Sequence, residues 1–224
     1  MIMKSPFNFH PVLNFLGDLS QHNSRDWFEM NRPAYEVARD TYSGFIDYLI
    51  DELRASDNLL GLSARDCILR IYRDVRFSKD KSPYNTHLSA IIAPGGKKSI
   101  LQGYYVSIEP QGRSLIAGGL HMPAPEQLSL FRQAVAKNAA AFKGITANRV
   151  FVEQFGKIEG ERLKTAPKGY DRDHPEIELL KLKEVTALHY FSDREVLAND
   201  FLNRAVIVCR ALKPFLDYLN KVLQ

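Results

Sequence analysis

The segment Cys67–Tyr84 holds the densest group of chemically active side chains in the chain, and it reads C-I-L-R-I-Y-R-D-V-R-F-S-K-D-K-S-P-Y. Its five cations and two acids give it a formal charge of +3, out of +4 for the whole chain. A guanidinium presents a rigid fork of donors that suits carboxylate and phosphate oxygens. The segment therefore predicts an anion-binding site. The five cations are Arg70, Arg73, Arg76, Lys79 and Lys81.

The same segment supports a purely structural interpretation. Asp74 and Asp80 lie among the cations, and Glu109 follows later in the chain. These carboxylates can pair with the arginines and lysines inside the protein, and a buried arginine needs such a partner because an unpaired buried charge costs several kcal/mol. An internal network of salt bridges therefore remains an alternative to ligand binding.

Several neutral side chains could help to hold or orient an anion. Ser78 lies among the cations, and no G-x-S-x-G motif surrounds it, so hydrogen bonding is expected rather than nucleophilic attack. Tyr84 and Tyr105 can donate hydrogen bonds to a ligand. Lys164 begins a loop, rich in Pro, Gly and Asp, that we expect to close the site. We predict that Arg70, Arg73, Arg76, Ser78, Lys81, Tyr84, Tyr105 and Lys164 bind the ligand.

Two residues are candidate proton carriers if a reaction occurs. Imidazole and carboxylate side chains are common general acids and bases, so we predict His174 or Glu109 in this role. No metal site is predicted, because Asp173-His174-Pro175-Glu176 fits the start of a helix better than a set of metal ligands. No cofactor-binding motif is present. Whether the chain is an enzyme stays open.

Composition points to a soluble globular protein. The chain has 224 residues, 45% of them hydrophobic and 25% charged, and a net charge of +4 is small for a nucleic-acid-binding protein. No apolar run approaches the roughly 20 residues needed to cross a bilayer. The N-terminus shows no secretory signal, and Cys67 and Cys209 are expected as buried thiols. We predict a cytoplasmic protein without a membrane partner.

Hydrophobic periodicity predicts helices at both ends of the chain and strands in the middle. The sequential strands with short turns predict an antiparallel β-meander of about four to five strands, packed on one face by the terminal helices. A single α+β domain over residues 1–224 is the simplest account. The expected strands are Cys67–Arg73, His87–Ala93, Gln102–Glu109, Arg113–Gly118 and Val185–Phe191. The expected helices are His10–Ser20, Arg25–Asn31, Pro33–Arg54, Pro123–Phe142, Asn148–Phe155, Glu176–Lys183 and a last one from about Asn199.

Alternation along the strands separates two faces of the sheet. One face is apolar and is expected to lie under the helices. The other face is polar, and it is expected either to meet water or to line a ligand site. The apolar set is Leu88, Ala90, Ile92, Tyr104, Val106 and Ile108, and the polar set is His87, Ser89, Tyr105, Ser107 and Glu109.

Four motifs resemble domain-of-unknown-function family 2461, which contains uncharacterised bacterial and fungal proteins. They are N-S-R-D-W-F-E-M-N-R-P-A-Y from Asn23, R-I-Y-R-D-V-R-F-S-K-D-K-S-P-Y from Arg70, G-Y-Y-V-S-I-E-P from Gly103 and L-K-T-A-P-K-G-Y-D-R-D-H-P from Leu163. The resemblance covers nearly the whole chain. It implies one domain with a shared architecture and no particular activity, and His121 departs from the aromatic residue that the pattern suggests there.

Three functions follow as expectations. The first is a domain that binds a small phosphate- or carboxylate-bearing ligand, with an enzymatic activity left open. The second is a nucleic-acid-associated module, suggested by aromatic side chains between the cations and disfavoured by the low net charge. The third is a structural or interaction protein whose charged motif is an internal salt-bridge network. The oligomeric state is not predicted.

Overall fold

The structure is a computed structural model, and it describes residues 7–224. Residues 1–6, part of the N-terminal stretch in which the sequence shows no secretory signal, lie outside the described residues. Within residues 7–224 the chain has ten α-helices, one short 3₁₀ helix at Gly96–Lys98 and four β-strands, which confirms the predicted α+β class. The helices are α1 His10–Gln21, α2 Arg25–Met30, α3 Arg32–Leu53, α4 Ala64–Cys67, α5 Pro125–Lys137, α6 Ala140–Thr146, α7 Arg149–Phe155, α8 Ile177–Leu180, α9 Asp193–Val196 and α10 Phe201–Val222.

The strands are β1 Leu88–Ile92, β2 Tyr104–Ile108, β3 Ser114–Leu120 and β4 Val185–Phe191. They form one antiparallel sheet in the order β1-β2-β3-β4, so each strand lies beside its neighbour in sequence. In the first pair Leu88 lies opposite Ile108 and Ile92 lies opposite Tyr104. This arrangement confirms the predicted meander, and helices from both ends of the chain pack against the sheet, as predicted.

The described chain divides into two compact units. The first contains the chain up to Ser99 together with Tyr104–Ile116 and Tyr190–Ile207. The second contains Ile100–Gly103, Ala117–His189 and Val208–Gln224. Because β3, β4 and α10 each run from one unit into the other, neither unit is a continuous piece of chain. A single domain stays a prediction.

In the first unit, α3 packs on the apolar face of the sheet. All six side chains predicted for this face are buried, with at most 3% of their surface exposed. Tyr42 of α3 is fully buried, and its hydroxyl donates a hydrogen bond of 2.9 Å to the carbonyl of Val106. Phe9, Phe45 and Phe201 form a cluster beside it, with ring centroids 5.2–5.3 Å apart. This part of the sequence-based prediction is confirmed.

The opposite face is less open to water than expected. Ser89 and Ser107 lie opposite each other and are only 5% and 3% exposed. The expectation of a face that meets water is therefore wrong at the centre of the β1–β2 pair. Alternation along a strand identifies the face of a side chain, whereas the cover over that face depends on distant segments.

In the second unit, small residues let α10 and the sheet approach closely. A Cβ atom on Gly118 would lie 2.8 and 2.9 Å from methyl carbons of Leu216 and Leu212. Gly119 has φ +123°, and a Cβ atom there would lie 2.1 Å from the carbonyl oxygen of Val185 on β4. Gly119 therefore requires glycine because of both space and backbone conformation, whereas a Cβ atom on Gly118 would force the two leucine side chains to move.

Two predicted elements are wrong. Cys67–Arg73 is not a strand: the short helix α4 ends at Cys67, and within this segment only Ile68 and Tyr72 make isolated β-bridges, to Ala90 and Tyr84. The helix forms because Ser63 and Asp66 cap its start, with the Ser63 N–H donating to the Asp66 carboxylate at 3.1 Å.

The predicted helix Pro123–Phe142 is two helices, α5 and α6. The chain leaves the helical conformation at Asn138, whose φ is −165° and whose side-chain oxygen accepts a hydrogen bond from the Ala140 N–H. Asparagine favours such local capping over a continuous helix. Within residues 7–224, no helix combines the length and the apolar character that a membrane span requires.

Candidate functional site

The basic loop, residues 70–84, is closed at its base by a short ladder in the first unit. Tyr72 and Tyr84 form an antiparallel bridge. Two main-chain hydrogen bonds flank the bridge, from Arg73 N to Pro83 O at 2.9 Å and from Asn85 N to Ile71 O at 2.7 Å. The residues between these anchors form a compact loop whose ends are held close together.

Inside the basic loop, Arg73 and Asp80 form an ion pair of 2.5 Å. Arg73 also donates to the Ser82 carbonyl at 3.2 Å, and Ser82 donates to the Asp80 carboxylate through its main-chain N–H and its hydroxyl at 2.9 and 2.7 Å. The Ser82 hydroxyl, the Ser82 N–H and Arg73 together hold the pKa of Asp80 well below its usual range. The Arg73 side chain, 26% exposed, is therefore held mainly by the loop itself.

Arg76 and Asp74 form a second pair. The guanidinium makes a two-pronged contact with the carboxylate, at 2.9 Å through Nε and 2.6 Å through Nη2. These hydrogen bonds lower the pKa of Asp74. The Arg76 side chain remains 76% exposed, so the pair lies at the surface of the loop.

Three cations of the basic loop form no ion pair with a carboxylate among the described residues. Among the ion pairs of the described residues, none involves Arg70, Lys79 or Lys81. All three residues are exposed. Lys81 donates one hydrogen bond of 2.9 Å to the carbonyl of Val75, which leaves its charge intact. The +3 charge of the segment therefore remains after both internal pairs have formed.

The tip of the basic loop carries a solvent-exposed aromatic side chain, that of Phe77. Phe77 is 96% exposed, and the guanidinium carbon of Arg76 lies 5.9 Å from the centroid of its ring. The backbone on either side is held, because Asp74 accepts a hydrogen bond from Arg76 N and Val75 O accepts one from Ser78 N, both at 3.3 Å. The main chain on both sides of Phe77 is thus held, and the ring itself is exposed.

Asn23 ties the basic loop to the N-terminal helices. Its side-chain amide donates to the Tyr84 carbonyl at 2.9 Å, and its side-chain oxygen accepts from the Tyr84 N–H at 3.1 Å. The Tyr84 ring is 2% exposed and stacks on Phe28 with 4.0 Å between centroids. This predicted ligand-binding residue is therefore part of the core of the first unit.

Three predicted residues of the sheet also lie in the first unit. Glu109 forms an ion pair of 2.9 Å with Arg113 and accepts a hydrogen bond from Thr86 at 3.4 Å. Burial lowers the pKa of His87, and the nearby charge of Glu109 partly opposes this effect. Tyr105 is half-buried on β2. Glu109 thus has partners of its own, and its role as a proton carrier stays a prediction.

Lys164 and His174 belong to the second unit. Lys164 is exposed, and the Nδ1 atom of half-buried His174 accepts a hydrogen bond of 3.0 Å from the Glu176 N–H. That bond leaves the proton of a neutral imidazole on Nε2. His174 and Glu176 therefore begin the turn before α8, as the helix-start interpretation predicts. Ligand binding by Lys164 and proton transfer by His174 stay predictions.

The remaining predicted ligand residue, Ser78, lies inside the loop. Its hydroxyl accepts a long contact of 3.5 Å from Arg73. In residues 7–224 no three His, Cys, Asp or Glu side chains come together as metal ligands would. The predicted site residues did not include Asn23, Phe77 or Lys79. All three lie inside the motifs quoted above, and this position in the sequence was the signal that could have identified them.

Comparison with protein families adds one finding. Residues 11–218 match the family model described as a conserved hypothetical protein, DUF2461. The chain belongs to this family. The match covers nearly the whole chain, which confirms the resemblance drawn from the four motifs, and the DUF2461 description carries no activity. No curated protein and no solved structure matches the chain.

Proposed function

We propose that the chain is a binding module whose basic loop binds a small ligand that carries phosphate or carboxylate groups. The observation that carries this proposal is the charge left over inside the loop. Arg73 and Arg76 are paired with Asp80 and Asp74, whereas three further cations in the same short loop form no ion pair among the described residues. Such a concentration of like charge favours binding of an anion.

In this proposal the paired and the unmatched cations have different roles. Arg70, Lys79 and Lys81 supply the charge that attracts the ligand. Arg73 and Arg76 hold the shape of the loop, so the loop needs little ordering when the ligand binds. A preorganised site loses less conformational entropy on binding than a flexible one. The ligand-binding roles predicted for Ser78 and Tyr105, which both lie in the first unit, are retained as part of the proposal.

Thermal unfolding in the presence of anions tests the proposal. We expect inorganic phosphate, pyrophosphate or citrate to raise the midpoint in a saturable way at low salt, because a ligand that binds only the folded state stabilises it. Lys79→Gln should weaken this effect several-fold, since it removes one cation without breaking an internal contact. The matched control is Lys98→Gln, an exposed lysine of the same unit outside the loop. If no anion stabilises the chain, or if both variants behave alike, the proposal fails.

A structural function is the second candidate, and the two internal ion pairs favour it. On this view the loop is a rigid part of an interaction or scaffold protein, and its charges serve only to maintain its shape. Removing Arg73 would then lower the stability of the whole chain, and the anions above would have no effect. The two candidates therefore predict opposite results in the same unfolding experiment.

A further inference from the structure

We propose that the ligand of the basic loop has nucleotide chemistry, with a planar base that stacks on Phe77 and a phosphate held by the neighbouring cations. This inference rests on the proposed function and names its ligand class. It follows from the side chain at the tip of the loop, which anion binding alone does not explain.

An exposed phenylalanine at this position has a clear cost. Burying such a side chain is worth about 1.5–3 kcal/mol relative to leaving it in water. Phe77 is 96% exposed, although the loop around it is well ordered by hydrogen bonds on both sides of the residue. A partner that covers the ring would recover this free energy.

The surroundings of the ring favour a flat partner. Asp74 holds the guanidinium of Arg76, which lies 5.9 Å from the ring centroid of Phe77. The near-complete exposure of the ring leaves room for a base to stack on it. Stacking of a base on an aromatic side chain is worth about 1–3 kcal/mol and tolerates every base.

The net charge of +3 on the basic loop is enough to balance a small number of phosphate groups. Lys79 is two residues from Phe77, and Lys81 and Arg70 are the other two cations of the loop that form no ion pair among residues 7–224. The rest of the chain contributes only +1 to the net charge, since the loop holds +3 of +4. This distribution suits a nucleotide or a short single strand better than a long duplex, which needs an extended basic surface.

An anionic membrane is a weaker match for the same loop. A surface-bound segment needs a broad apolar face with many basic residues. Here the residues on either side of Phe77 are Arg76 and Ser78, and both are polar. A single ring between polar neighbours fits one base rather than a lipid layer.

The test compares two probes that differ only in the base. Isothermal titration with AMP and with ribose 5-phosphate at low salt should show about tenfold tighter binding of AMP, which corresponds to roughly 1.4 kcal/mol of stacking. Phe77→Leu should remove this difference and leave the affinity for ribose 5-phosphate unchanged. Leu60→Ala is the matched control, because Leu60 is 92% exposed in the same unit and lies outside the loop.

A second arm separates the two sources of nucleotide chemistry. A ten-residue DNA strand that binds much more tightly than AMP, with a logarithmic salt slope of about −2, would assign the site to single-stranded nucleic acid. If AMP and the DNA strand bind with equal affinity per site, the site is assigned to free nucleotides. In both cases an abasic strand of the same length should bind more weakly, and in both the inference stands.

Three outcomes would overturn the inference. If AMP and ribose 5-phosphate bind equally and Phe77→Leu changes neither, the base makes no contact and only the proposed anion binding survives. If neither probe binds and phosphate gives no thermal stabilisation, the proposed function fails as well. If phosphatidylserine vesicles bind the chain through Phe77 while AMP shows no preference over ribose 5-phosphate, the ring serves a membrane contact instead.

Discussion

Asn23 is the residue on which the position of the basic loop most directly depends. Its side chain satisfies both main-chain groups of Tyr84, in the way that a neighbouring strand would. No other amino acid of similar size offers a donor and an acceptor in this arrangement. The segment before α2 and the basic loop are thus joined by two hydrogen bonds within the first unit.

Replacing Asn23 tests this link. We expect Asn23→Ala to reduce the free energy of unfolding by about 2 kcal/mol, because it leaves two partly buried main-chain groups without partners. Urea denaturation measures the change. The control is Asn58→Ala, at an exposed asparagine of the same unit, for which about 0.5 kcal/mol or less is expected. Equal effects of the two substitutions would contradict the role given to Asn23.

Residue types in the sequence were enough to locate the charged segment but not to pair its charges. Asp74 and Asp80 were identified as possible partners, and each binds one arginine. The choice of arginine for each acid depends on local turns of the main chain. In one such turn Asp80 accepts a hydrogen bond from the N–H of Ser82, two residues later. The interior position of Tyr84 was also missed, because it depends on Phe28, more than fifty residues earlier.

At the scale of elements, the basic loop is held together in two ways. Main-chain hydrogen bonds join its two ends, and two ion pairs connect residues inside it. We expect Arg73→Ala to speed amide hydrogen exchange several-fold in residues 74–82 and to leave β1 unaffected, since the substitution removes the contact to Asp80 and the contact to Ser82. Arg65→Ala, at an exposed arginine of the same unit, is the control. An unchanged exchange rate in the loop would show that the pair contributes nothing to its order.

The same pairs give the loop a pH dependence of known sign. The pKa values of Asp74 and Asp80 are lowered in the folded chain, so their contribution is present above the usual carboxyl pKa of about 3.9 and is lost as the pH falls below it. Protection of the loop amides should therefore hold between pH 5 and 8. It should decrease below about pH 4, before β1 loses its own protection.

Most helices and strands were predicted well, whereas the segment after Cys67 and the break at Asn138 were not. The helices α1, α3 and α10 and the strand β4 follow from regular apolar spacing, and their bounds agree within about two residues. The segment after Cys67 alternates like a strand, yet its neighbours allow only two isolated bridges. Strand formation needs a partner of matching length, which a single segment does not reveal.

At the scale of the whole molecule, the path of the chain bears on how it unfolds. The chain passes five times between the two compact units. Urea unfolding monitored by Trp27 fluorescence reports the first unit, and a single Trp at Tyr218 in a Trp27→Phe background reports the second. We expect coincident midpoints, as in two-state unfolding, because neither unit is a continuous segment that could fold by itself. Two separate midpoints would show two domains and would contradict the predicted single domain.

Both outer strands of the sheet are covered along part of their length. Beside β1, the Leu69 N–H donates to the Ser89 carbonyl at 2.8 Å, and beside β4, Glu159 and Thr186 exchange two main-chain hydrogen bonds. Exposed strand edges are where sheets of different molecules join into aggregates. Ile68 and Leu69, which precede the basic loop, therefore cover part of the edge of β1. A rearrangement that separates them from β1 would expose this edge and favour self-association of the chain.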